Sequence, residues 1–290
     1  MNIIQKLNKR IDKVNSLLCI GLDSEIKKIP LHLQKEQYPQ FVFNKAIVDA
    51  TADIVCAYKP NSAFYEARGE KGMQELKMTF EYIQKKYPDI VTILDAKRAD
   101  IGSTNEGYVK YIFDYLGSDM VTLHPYLGKE ALLPFLKRKD KGCIVLCKTS
   151  NPGSGEFQDL KIKRLDSRLR GNDTGSAEDN KTMRLYEYIA LQVSKEWNSN
   201  NNCMLVVGAT YPEEMKKVRS LVGDMPFLVP GIGIQGGDIE KTVKAGLDSK
   251  KRGLIINSSR GIIFASKGKN FAEKAREEAK KMKDEINKYR

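Results

Sequence analysis

A chain of 290 residues, 41% hydrophobic and 30% charged, has a globular composition that excludes disorder and collagen-like repeats and is long enough for one large core. Its formal charge of +12 calls for an anionic partner. No nucleic-acid-binding motif or aromatic-basic interleaving accompanies that charge, so a small phosphorylated molecule is expected rather than a nucleic acid. With only His32 and His124 present, a histidine metal centre or a Ser-His-Asp hydrolase has little material, and no apolar stretch reaches membrane-spanning length.

In chain order, the opening MNIIQKLNKRIDKVNSLLCIGLD is charged throughout and carries no sustained apolar leader region. Eight short apolar, often β-branched runs follow: LLCIGLD (17–23), IVCAYKPN (54–61), VTILDAK (91–97), MVTLHP (120–125), CIVLCKTS (143–150), CMLVVGAT (203–210), PFLVPGIG (226–233) and GLIINSS (253–259). Stretches such as QELKMTFEYIQKKY (74–87) and EEMKKVRSLVG (213–223) lie between them, with apolar residues three and four apart, as an amphipathic helix requires. Such alternation predicts a parallel sheet with right-handed crossovers, and eight units predict a closed α/β architecture, the (β/α)8 TIM barrel, as a single domain over 1–290. Residues 161–181 break the pattern with dense Arg, Asp, Asn, Gly and Ser, and read as a loop insertion, with 151–157 before it a candidate lid. The five cysteines are odd in number, form no CxxC pair and mostly sit in apolar runs, which predicts buried free thiols in a reducing, cytoplasmic compartment.

Polar or glycine-rich sequence ends nearly every run, and in a barrel these ends gather at the face where active sites are built. The densest is LDAKRADIGSTN (94–105), where Asp95 and Lys97 share one side of a regular strand and Asp100 follows just after it. An ammonium held by carboxylates stays protonated, which suits an acid beside a developing carbanion better than a Schiff-base nucleophile. A surface ion cluster is the plain alternative. Lys59 can join the array from the second run, and Asp23 at the first can accept from sugar hydroxyls; either could equally be a strand-end surface charge. After the seventh and eighth runs, PGIGIQGGD, with Gly233 and Gln235, and NSSRGI, with Arg260, stand where barrels bind phosphate: glycines let backbone N–H groups approach an anion and Arg260 can grip it bidentately. Ser150 and Asn151, in KTSNPGSG, offer hydroxyl and amide groups suited to the polar edge of a base.

Together, DAKRAD, GLD, KPN, TSNPGSG, PGIGIQGGD and SSRG, in this order between about residues 17 and 263, resemble the orotidine 5'-phosphate decarboxylase family, whose signature is D-x-K-x-x-D. The resemblance implies decarboxylation of orotidine 5'-monophosphate to UMP in pyrimidine synthesis, with no metal and no organic cofactor. It also implies that Lys97 protonates C6, Asp95 and Lys59 hold the charge network, and Asp23 binds ribose. Ser150 would meet the pyrimidine, and Gln235 and Arg260 the phosphate. Asp100 and Thr104 would complete the neighbouring subunit's site, making the active unit a homodimer. A magnesium-dependent sugar-phosphate relative shares D-x-K-x-x-D, but typically ends its second strand with an acidic metal ligand where Lys59 stands here. A non-catalytic protein binding a phosphorylated ligand or a nucleic acid, made possible by the net charge, is the alternative of a different class.

Overall fold

In the computed structural model, residues 1–163, 182–232 and 237–290 are described. Each of the eight runs becomes a strand of one closed parallel barrel. The strands are β1 (Leu18–Ile20), β2 (Ala57–Tyr58), β3 (Val91–Arg98), β4 (Met120–Leu123), β5 (Gly142–Lys148), β8 (Cys203–Val207), β9 (Phe227–Val229) and β10 (Leu254–Ser258). Two further strands, β6 (Lys161–Lys163) and β7 (Thr182–Arg184), form a separate pair. Barrel neighbours follow chain order, and β1 closes the ring by pairing with both β2 and β10. Because helices cover the outside and side chains fill the inside, the strands are buried on both faces, which is why they read as continuous rather than alternating apolar runs.

The helices bury one stripe each. Gly69–Lys86 turns Leu76, Phe80 and Ile83 inward, and Phe271–Lys288 buries Phe271, Ala275, Ala279 and Ile286. Phe271 stacks on Phe43 of the helix Pro39–Thr51, with ring centroids 5.2 Å apart. Burying one such ring contributes about 2 kcal/mol. At the opposite end from the polar strand termini, the helix Ile3–Val14 sets Arg10 against the chain entering β2, where its guanidinium donates to the carbonyls of Ala52 and Val55 and pairs with Asp89.

The segment read as an insertion differs from expectation at its start. Residues 161–163 are not loop but β6, paired antiparallel with β7 in the register Lys161↔Arg184, Ile162↔Met183 and Lys163↔Thr182. A pairing across that much chain leaves no local periodicity to read, and only one apolar pair, Ile162 and Met183, marks it. Residues 164–181, the remainder of that segment, lie outside the described residues.

Candidate active site

Strand β3 is buried from Val91 to Leu94 and opens to solvent from Asp95 onward. Two backbone bonds fix Asp95: its N–H donates to Pro60 O at 3.0 Å, and Ser62 N–H donates to its carbonyl at 3.2 Å. Its carboxylate is fully engaged. Oδ2 accepts from Lys59 Nζ at 2.8 Å and Asn61 Nδ2 at 3.3 Å, while Oδ1 accepts from Lys97 Nζ at 2.6 Å and Thr122 Oγ1 at 2.9 Å. Thr122 Oγ1 in turn accepts the Lys97 N–H at 2.9 Å, so one hydroxyl orients both ends of the Asp95–Lys97 pair.

Asp95 and Lys97 meet as expected, but not along a regular pleat. Lys97 has φ +47°, and the pairing of β3 with β4 shifts register between Leu94 and Arg98. A left-handed non-glycine residue costs on the order of 1 kcal/mol, and the Thr122 bond helps to hold it.

The electrostatics follow from burial and neighbours. Burial alone would raise the Asp95 pKa, but the ammonium groups of Lys59 and Lys97 outweigh it and hold the carboxyl well below the usual range. Burial would likewise discharge Lys59, but Asp95 and Asp23 keep it above the ordinary lysine value. Asp95 and Lys59 are therefore both ionised. Only Lys97 is open to a ligand, with 49% of its side chain exposed against 4% for Lys59.

Asp23, whose charge acts on Lys59, also lines a cleft of ≈ 210 Å³ together with Gly231, Ile232, Ser259 and Arg260, to which the helix Phe271–Lys288 adds Glu278 and Met282. Asp23 Oδ1 is buried without a hydrogen-bond partner among the described residues, so it is an acceptor in want of a donor. Gly21 is required where β1 leaves the barrel, because a Cβ there would come within 2.7 Å of Ser259 Cβ. Arg260 is exposed at the mouth of the cleft. Gly233 and Gln235 lie outside the described residues; the chain on either side is joined by the Gly237 N–H donating to Gly231 O at 3.1 Å. Ser150 sits so close to Gly208 that a Cβ at 208 would approach Ser150 Cβ to 2.8 Å, and Asn151 is exposed, its Oδ1 accepting from Thr149 Oγ1 at 2.6 Å.

Asp100 and Thr104 stand apart. Asp100 Oδ1 accepts from Ile101 N–H at 2.7 Å, and buried Asn105 binds both the N–H and the carbonyl of Asp100, holding this turn at the start of the helix Gly102–Val109. Among the described residues no ion pair or hydrogen bond joins Asp100 to Lys59, Asp95 or Lys97, so within one chain the charged array comprises those three. Thr104 is exposed in the first turn of that helix.

Sequence reasoning missed Asn61 and Thr122, although Asn61 stood in the quoted KPN and Thr122 one residue short of the end of β4. It also missed Lys148, which pairs with Asp159 at 2.9 Å. Among the described residues no group of three or more His, Cys, Asp or Glu side chains could hold a metal ion, and no helix is long and apolar enough to cross a membrane. All five cysteines are buried and free.

Residues 16–275 match the profile of the Orotidine 5'-phosphate decarboxylase / HUMPS family. The orotidine 5'-phosphate decarboxylase of Cellvibrio japonicus (strain Ueda107) is 46% identical over 264 residues, which are 90% of this chain and 89% of that protein. Among solved structures, Leishmania donovani OMP decarboxylase superposes with a TM-score of 0.79 at 33% identity, covering 100% of this chain and 98% of that one. Leishmania donovani UMP synthase gives 0.82 at 35% identity, and there the chain, fully covered, spans 56% of the longer protein. With a profile match over most of its length and a relative this similar, the chain belongs to the orotidine 5'-phosphate decarboxylase / HUMPS family.

Proposed function

We infer that this protein decarboxylates orotidine 5'-monophosphate to UMP and carbon dioxide, a step of pyrimidine synthesis, without metal or organic cofactor, and that the chain folds as a single domain. The observation that carries this reading is the Lys59–Asp95–Lys97 array, with bonds of 2.8 and 2.6 Å and Lys97 as its exposed cation. The C6–carboxyl bond breaks and its electron pair stays on C6. Lys97 Nζ delivers a proton to that carbon and later recovers one from water. A vinyl carbanion is too unstable to stand unpaired, and a fixed ammonium helps most as the charge develops, which lowers the barrier rather than merely binding substrate. Asp95 holds and aims the Lys97 side chain, and buried Lys59 helps to keep Asp95 ionised.

Asp23, with its unsatisfied oxygen, takes a ribose hydroxyl. Gly233, Gln235 and Arg260 take the phosphate, and Ser150 and Asn151 the pyrimidine edge. Binding at the phosphate, remote from C6, supplies free energy for orientation and desolvation at the reacting carbon. Buried free thiols accord with a reducing, cytoplasmic setting.

The active unit is a homodimer in which Asp100 and Thr104 complete the partner's site. Support comes from Asp100 lying outside its own chain's array and from exposed Ile101, Tyr126 and Leu127 at the starts of two packed helices, Gly102–Val109 and Gly128–Leu136. Mixing Lys97→Ala with Asp100→Ala subunits then restores roughly a quarter of wild-type activity, because half of the random dimers are mixed and each has one complete site. For the reaction itself, loss of orotidylate absorbance is followed with EDTA present. Sustained turnover is expected; turnover abolished by EDTA would favour the metal-dependent relative, and UMP binding without turnover a binding protein.

A further inference from the structure

Lys148, at the end of β5, is used by none of the chemistry above, although it is as deeply buried as any core residue, at 1% exposure. An ammonium so placed is costly unless paired. Its Nζ donates to both oxygens of Asp159 at 2.9 Å, lies 3.4 Å from Ser154 Oγ and stands over the Tyr211 ring, 4.5 Å from its centroid. One residue on, the Thr149 N–H donates to Gln158 Oε1 at 2.9 Å and Gln158 Nε2 donates back to Thr149 Oγ1 at 2.8 Å. Residues 148 and 159, then 149 and 158, thus face each other as two side-chain rungs that close the neck of the segment carrying Ser150 and Asn151.

Apolar packing does not explain how this segment is held, since Phe157 and Leu160 are 66% and 52% exposed. Asp159 also accepts from Arg184 Nη1 at 3.4 Å, at the end of β7, so one carboxylate ties the barrel, the neck and the β6–β7 ladder together. We propose that Lys148 and Asp159 are positioning residues that clasp residues 149–158 shut and so present Ser150 and Asn151 to the base of the nucleotide. This rests on the reading that those two residues meet the pyrimidine. A segment held before the ligand arrives pays less ordering entropy on binding, so the clasp acts on affinity for the base and leaves the phosphate grip alone.

The test compares wild type with Asp159→Asn, Lys148→Met and Asp159→Glu. Amide hydrogen exchange is measured over 150–158 in the ligand-free protein, and Kd is measured for UMP and for ribose 5-phosphate. In Asp159→Asn and Lys148→Met, exchange over the segment should quicken at least about tenfold with β3 and β4 unchanged, as expected for local opening. UMP should bind about tenfold more weakly while ribose 5-phosphate stays within about twofold, and Asp159→Glu should recover most of the difference. Unchanged exchange overturns the clasp, and equal weakening of both ligands overturns its link to the base. If wild type itself binds UMP and ribose 5-phosphate alike, the base-contact reading fails, whatever exchange says of the clasp.

Discussion

At the end of β3, Lys97 grips Asp95 at 2.6 Å; at the end of β5, Lys148 grips Asp159 at 2.9 Å. The distances scarcely differ, but the burial is inverted. In the first pair the carboxylate is the inner member, at 12% exposure, and the ammonium is the exposed one, at 49%. In the second the ammonium is the inner member, at 1%, and the carboxylate is the outer one, at 32%. The buried partner of such a pair is fixed by the cost of leaving it alone, and the exposed partner is the one free to meet something else. Lys97 can therefore meet substrate, whereas Lys148 can only hold its loop.

The largest effect that sharpens this contrast is on turnover. Lys97→Ala should lower kcat more than about 10⁴-fold, since it removes both a proton donor and the charge beside the carbanion. Lys148→Met should keep kcat within about tenfold, its loss falling mainly on KM. Equal losses in kcat would break the comparison.

Stability should show the inversion next. Asp159→Asn leaves the Lys148 ammonium buried with, among the described residues, Ser154 and two aromatic rings as its other neighbours, and should cost about 3 kcal/mol in urea unfolding. Lys97→Ala should cost less than about 1 kcal/mol, because Asp95 keeps Lys59, Asn61 and Thr122.

Acid should weaken the β3 array in a defined window. Asp95 has its pKa depressed in the folded state, so the unfolded chain binds the extra proton first. The stabilisation is complete above the unfolded carboxyl value of about 3.9 and is lost as pH falls below it toward the folded value. The Tm difference between wild type and Asp95→Asn should thus be flat from about pH 5 to 8 and shrink below about pH 4. Lys59, raised rather than lowered, adds stability that is lost only on the alkaline side, above the unfolded lysine value of about 10.4.

The smallest effect should come from replacing residues 164–181 by a two-residue turn joining Lys163 to Thr182, the last pair of the described ladder. With the neck closed by the Lys148–Asp159 and Thr149–Gln158 pairs, kcat/KM should stay within about twofold. A larger loss with intact folding would give the stretch a role in the site.

Legibility in the sequence followed the range of the forces involved. All eight barrel strands were readable because burial on both faces writes itself locally as apolar runs, and Asp95, Lys97 and Lys59 were readable as charges where such runs end. The left-handed turn at Lys97 was not, because it depends on the hydroxyl of Thr122 in the neighbouring strand. Nor was the Lys148–Asp159 pair, since burial of an ammonium is a property of Tyr186 and Tyr211 packed around it, and KTS reads like any turn. β6 and β7 stayed hidden because their pairing is non-local. The hold on Asp100 was not legible either, because its backbone N–H and carbonyl are both bound by the side chain of Asn105, five residues on, which DAKRAD does not include.

The central claim, that Lys97 delivers the proton to C6, is tested most directly by single-turnover decarboxylation in D₂O with EDTA, following C6 of the UMP formed by NMR. Wild type should give UMP carrying one deuterium at C6, and Lys97→Ala, while still binding UMP, should give essentially none. Deuterated UMP from Lys97→Ala at a rate near that of wild type would contradict the account.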